Sequence, residues 1–151
     1  MSFKLSQRSL DKLEGVHPDM VKCVKSAINY SKVDFGVICG MSSESEQREL
    51  VANGASKTMR SKHLTGHAVD LMAYVGSRAS WELNLYDHIA DAMAKAAKEH
   101  NVPIKWGAAW SIGNIAQWNS SMEGAMNSYI DLRLSEGRRP FIDGPHFELI
   151  Q

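Results

Sequence analysis

The chain has 151 residues, 44% of them hydrophobic and 23% charged, with 17 basic residues against 17 acidic ones. That length and composition fit one soluble globular domain whose core needs no staples, and the balanced charge excludes long-range capture of nucleic acid or an anionic membrane by a basic surface. With only Cys23 and Cys39 there is no disulfide framework, and no run approaches the roughly 18 apolar residues of a membrane-spanning helix.

In chain order, Met1-Ser2-Phe3-Lys4-Leu5-Ser6-Gln7 lacks the apolar stretch of a signal peptide, so the sequence predicts a protein made in the cytoplasm that does not export itself. Ser6 to Gly15 reads as a short polar helix or turn anchored by Leu10 and Leu13. His17-Pro18-Asp19 opens a helix, since proline in a first turn forfeits only an N–H that has no helical partner. Met20, Val21, Val24, Ala27 and Ile28 then recur at helical spacing, and His17 reads as a surface or capping residue. Phe35-Gly36-Val37-Ile38-Cys39 is a buried strand ending at Gly40, and both cysteines read as buried thiols. Ser42 or Ser43, with Glu46, opens a helix to about Ala52 that stops at Asn53-Gly54.

Ser61-Lys62-His63-Leu64-Thr65-Gly66-His67-Ala68-Val69-Asp70 then packs two imidazoles and a carboxylate ahead of the apolar Leu71-Met72-Ala73-Tyr74. Imidazole nitrogens and carboxylate oxygens are what protein zinc sites are built from. His63 and His67 have the i, i+4 spacing of a helical pair, but Gly66 disfavours a helix and no Glu follows His63. The stretch therefore reads as a loop running into a strand, with His63 entering a site from the loop and Asp70 from the strand. Two ligands do not close such a site.

Gly76-Ser77-Arg78 reads as a turn, and the longest helix begins near Ser80, with Tyr86, Ile89, Ala90, Met93, Ala94 and Ala97 on its packed face. His88 and His100 fall off that stripe and read as solvated. Ile104-Lys105-Trp106 is a short strand. The aperiodic stretch after it carries Trp110, read as core or cleft wall, with ligand stacking as the alternative. Ser120 and Glu123 open a further helix along Met122, Ala125, Met126, Tyr129, Ile130 and Leu134. In the closing segment His146 and Glu148 alternate with Phe147 and Leu149 as in a strand. These elements predict an α+β domain around a small, mainly antiparallel sheet flanked by helices.

His146 is the natural third partner of His63 and Asp70, giving two histidines, one aspartate and an open position, the pattern of catalytic zinc. Such chemistry also needs an unliganded carboxylate to move the water's proton. Asp143 is placed for this by the tight turn of Asp143-Gly144-Pro145-His146, with Glu148 as rival. On spacing alone, a structural role for these histidines stands beside the zinc reading.

The segment 61–70 together with Asp143-Gly144-Pro145-His146 resembles the paired signature of the zinc D-alanyl-D-alanine carboxypeptidase and L-alanyl-D-glutamate endopeptidase family. The opening Met1-Ser2-Phe3-Lys4-Leu5, Val33-Asp34-Phe35, Gln47, Ala52-Asn53-Gly54 and Trp106-Gly107-Ala108-Ala109-Trp110 are similar to phage endolysins of that family. The resemblance implies a Hedgehog/DD-peptidase-like fold, Zn2+ held by His63, Asp70 and His146, Asp143 as general base and acid, and Gln47 and Ser61 as substrate contacts, with Trp110 a candidate beside them. His67 occupies a variable position and is not carried over. Ser42 and Ala109 stand where family members usually have Arg and Asp, which weakens the case for gripping a free C-terminus.

The expectation is a single-domain, monomeric zinc endopeptidase over residues 1–151, without a wall-binding module. It would cut the L-Ala–D-Glu bond of murein stem peptides, waiting in the host cytoplasm until another phage protein opens the inner membrane. A D-alanyl-D-alanine carboxypeptidase and a non-catalytic, zinc-stabilised binding module are the rival expectations.

Overall fold

Residues 68–75 are apolar apart from Asp70 and Tyr74, and they form the strand with which most of the sheet pairs. The computed structural model describes residues 3–40 and 62–150. The helix expected over 42–52, Gln47 and Ser61 lie outside them. Strand β1 (Asp34–Cys39) and β2 (Ala68–Val75) run antiparallel. β3 (Arg78–Ser80) turns back on the far end of β2, β4 is Ile104–Trp106, and β5 (His146–Leu149) lies on the other side of β2. The order is β1-β2-β5-β4, with antiparallel pairing throughout.

One sheet face is apolar. Phe35, Val37, Val69, Leu71, Ala73, Ile104, Trp106 and Phe147 are buried there, as a period of two dictates for a half-covered sheet. Helices α1 (Gln7–Lys12), α2 (Pro18–Tyr30), α3 (Leu83–His100) and α4 (Met122–Ser135) accompany the sheet. Met20, Cys23, Val24 and Ala27 from α2, and Ile89, Ala90, Met93 and Ala97 from α3, are fully enclosed. The alanines let α3 approach closely. The other face of the sheet carries Asp70, His146 and Glu148.

A bulge between Val37 and Cys39 changes which way β1 points. In regular alternation Cys39 would follow Phe35 and Val37 onto the core face. The extra residue instead sets Cys39 opposite Asp70, which is also the register partner of His146. Cys39, Asp70 and His146 thus form one row across three strands. Bulges re-aim side chains in this way beside functional sites.

Some local expectations are corrected. In α1 Leu10 is exposed and Ser9 is the buried residue, its hydroxyl accepting from Val37 N at 2.9 Å. Residues 78–80 pair as β3 because Tyr86 fastens them, its hydroxyl donating to Ser80 O at 2.7 Å, so α3 starts at Leu83. The cap of α4 is Ser121, bonded to Gly124 N, and Leu134 is exposed. His17 caps α2 through Nδ1 as expected, whereas His100, read as solvated, bonds Ser26 Oγ at 2.7 Å.

Candidate metal centre

His63 sits in a single 3-10 turn, Lys62–Thr65, that cannot extend into an α-helix. Gly66 follows at φ +76°, and a Cβ there would lie 2.3 Å from Gly15 O, so only glycine fits. The turn points His63 inward and leaves His67 outside, with its Nδ1 2.7 Å from Thr65 Oγ1 and its ring against His17. The tempting i, i+4 pair is therefore split between two environments.

Three groups meet at one carboxylate oxygen. His63 Nε2 is 3.3 Å and His146 Nδ1 3.1 Å from Asp70 Oδ1, and the two rings meet edge to face with centroids 5.3 Å apart. Each imidazole is held from behind. His63 Nδ1 lies 2.7 Å from Gly40 O; a carbonyl only accepts, so this nitrogen carries a proton and Nε2 is left for the centre. His146 Nε2 donates to Glu148 Oε1 at 2.9 Å, and Lys62 Nζ holds the other Glu148 oxygen at 3.0 Å and Leu149 O at 2.6 Å. Partners of this kind orient metal-binding histidines and fix their tautomers.

The donor chemistry fits a divalent metal. Ligands at 2.0–2.2 Å from a tetrahedral zinc stand roughly 3.3–3.5 Å apart, close to the two separations at Asp70 Oδ1. Among the described residues, two sets keep all their donor atoms within 4.8 Å of one another: Cys39–His63–Asp70 and Asp70–Asp143–His146. They share Asp70. His63 and His146 come together through that carboxylate and not as a compact pair.

Charge at the centre follows from this packing. Burial works against ionised Asp70, but hydrogen bonds from His146 and His63 outweigh it and hold the carboxylate well below its ordinary range. Burial likewise opposes protonation of both histidines, yet the hydrogen bond to Asp70 drives each upward. The pocket thus favours positive charge, and a bound cation would take the place of those imidazole protons. Asp143 moves the opposite way to Asp70: burial and then the Asp70 charge raise its pKa.

Backbone clamps set Asp143. Its N–H donates to Gly107 O at 2.8 Å, Gly107 N donates to His146 O at 2.8 Å, and His146 N closes the turn on Asp143 O at 3.1 Å. A Cβ on Gly107 would lie 2.2 Å from Asp143 O. Trp106 Nε1 donates to Gly144 O at 2.7 Å, tying the turn to β4. Trp110 stands over the ring of His146 at 5.8 Å between centroids and stacks on Phe141, so it walls the centre. Its indole N–H is buried with no acceptor among the described residues.

Of the residues singled out in the sequence, His63, Asp70, Asp143, His146 and Trp110 gather here. Gln47 and Ser61 lie outside the described residues. Cys39, whose Sγ is 3.6 Å from His63 Nδ1, is not marked as a site residue by its sequence, because no local signal reveals the bulge. Glu148, the rival base by sequence, is engaged behind His146.

The comparisons with known proteins are consistent with one another. Residues 1–150 match the family model described as phage L-alanyl-D-glutamate peptidase. The L-alanyl-D-glutamate peptidase of Escherichia phage T5 is 29% identical over 99% of this chain and 100% of its own length. That of Listeria phage A118 is 36% identical over 66 residues, which is 44% of this chain and 22% of the other. The crystal structure of the Serratia marcescens L-Ala D-Glu endopeptidase ChiX superposes with a TM-score of 0.73 at 36% identity, covering 99% of this chain and 91% of that one.

Proposed function

The chain belongs to the phage L-alanyl-D-glutamate peptidase family, and on that premise we propose that it hydrolyses the L-Ala–D-Glu bond of murein stem peptides with a zinc ion held by His63, Asp70 and His146. The observation that carries the reading is the meeting of His63 Nε2 and His146 Nδ1 at Asp70 Oδ1, at 3.3 and 3.1 Å, with Asp143 beside the same carboxylate.

Zinc bound there supplies a Lewis acid for the scissile carbonyl and lowers the pKa of water toward neutrality. The chain's own residues do the rest. Gly40 O and Glu148 engage the distal imidazole nitrogens and leave His63 Nε2 and His146 Nδ1 as donors. Asp143 takes the proton of the attacking water and gives it to the nitrogen that leaves with D-Glu. Trp110 and Phe141 wall the site, and Gln47 and Ser61 serve as substrate contacts by their place in the family pattern.

On this reading residues 1–151 act as one catalytic domain and as a monomer. The substrate is the peptide of the bacterial wall, reached once another phage protein has opened the inner membrane. No helix among the described residues is long and apolar enough to cross a membrane.

Digestion of purified murein by the zinc-loaded protein, followed by mass spectrometry, tests the reaction. Peptides with a new N-terminal D-Glu, together with muramoyl-L-Ala, are expected. Loss of a single terminal D-Ala would identify a carboxypeptidase instead, and no new amino groups would overturn the peptidase assignment.

A further inference from the structure

A cavity of about 370 Å³ opens on the flank of Asp143, between Trp81, Leu83 and Tyr86 on one side and Ile142 and Pro145 on the other. It is distinct from the wall formed by Trp110 and Phe141. Resting on the peptidase reading above, we propose that this cavity receives the acyl side of the scissile bond, L-Ala with its N-linked lactyl-muramoyl group, and that Trp81 is the platform for the sugar.

The first support is charge. The substrate has unlike halves. On the acyl side stand the alanyl methyl, the lactyl methyl, a neutral amide and a sugar ring. On the amine side stand D-Glu and a diamino acid, which bring carboxylates. Among the described residues the cavity lining holds no Lys, Arg or His, and the ionisable groups there are Asp143 and the Tyr86 phenol. A carboxylate entering it would meet Asp143 beside apolar side chains, with no cation among the described lining residues to offset the repulsion, whereas the neutral half meets no such cost.

The second is the state of Trp81. Its ring is 62% exposed although it adjoins a cavity. It is not loose, since it lies nearly parallel to Tyr86, at 11° and 6.3 Å between centroids. Tyr86 in turn is pinned by Ser80 O at 2.7 Å and Ala73 N at 3.2 Å. An indole steadied by a near-parallel neighbour and largely open to solvent offers a flat apolar surface to the C–H face of a sugar. Continuity with the reacting bond comes through Asp143, which belongs to both the cavity and the centre.

The test compares two substrates of identical stem sequence, one carrying N-acetylmuramic acid on L-Ala and the other only an acetyl group. The wild-type enzyme should prefer the muramoyl peptide in kcat/KM by about tenfold, the size of one good aromatic contact. Trp81→Ala should remove that preference by lowering kcat/KM on the muramoyl peptide more than on the acetyl peptide, and Trp81→Phe should restore part of it. Equal treatment of both substrates by the wild type would overturn the proposal while leaving the peptidase reading intact, as would an equal loss on both in Trp81→Ala. A wild type inert on both would overturn the peptidase reading as well.

Discussion

Asp70 and His146 are direct register partners across β2 and β5, and His146 Nδ1 rests 3.1 Å from Asp70 Oδ1. Cys39 faces the same aspartate from β1. A site assembled as one row across the sheet inherits its precision from backbone pairing, which suits chemistry that tolerates little displacement. Of the three proposed zinc ligands His63 is the one that arrives from outside the sheet, and Gly40 O holds it from behind.

Removal of the metal should abolish turnover reversibly. Treatment with a chelator is expected to stop murein hydrolysis, and added zinc should restore it. His63→Ala, Asp70→Ala and His146→Ala should each lose bound zinc and activity together, as read by elemental analysis beside an assay of released amino groups. Retention of stoichiometric zinc in all three would remove them from the ligand set.

Glu148 touches none of the other donors of the centre, yet it holds His146 Nε2 at 2.9 Å. Glu148→Ala should weaken zinc binding by about 10–100-fold, the usual effect of losing an outer partner. A competition titration against a chromophoric chelator measures this. Unchanged affinity would show that the packing of β5 alone orients the ring.

Gly107→Ala introduces a methyl 2.2 Å from Asp143 O. Backbone must move to admit it, and the turn that carries Asp143 and His146 is what would move. Activity should fall at least tenfold, with a stability loss of about 1–3 kcal/mol typical of overpacking. Circular dichroism and thermal melts separate this from unfolding, and wild-type activity would show that the turn yields without cost.

Asp87 supplies a pH signature away from the centre. Burial raises its pKa above the ordinary carboxylate range, and Oδ1 has no hydrogen-bond partner among the described residues. The folded state therefore binds this proton more tightly than the unfolded chain. Its contribution to stability is complete below the unfolded pKa and is lost as pH rises through the folded one. Asp87→Asn cannot ionise, so its melting temperature relative to wild type should climb as pH rises above the ordinary aspartate pKa of about 4. A constant difference across that rise would contradict the assignment.

Much of the centre was legible because it is encoded in short stretches. Asp143-Gly144-Pro145-His146 declares its own turn, and the alternation of His146 and Glu148 with Phe147 and Leu149 declares the strand that follows. The register was not legible. That Cys39 meets Asp70 depends on a bulge decided by the pairing of β1 with β2, and nothing local to Phe35–Cys39 marks it. The part played by Glu148 was open for a similar reason: its place on the strand says that it shares a face with His146, not which imidazole nitrogen it meets. β3 was read as part of a turn and helix start because its pairing depends on Tyr86, six residues beyond Ser80. The cavity beside Asp143 joins residues from 81–86 to residues from 142–145, a proximity that only the folded chain creates.

The most direct measurement is zinc content and murein hydrolysis taken together on Asp143→Asn. One zinc per chain is expected, as in the wild type, with turnover reduced by about 10²–10⁴-fold, the contribution of a positioned acid–base group. Full turnover would remove Asp143 from the proton transfer, and loss of the metal would make it a ligand rather than the base.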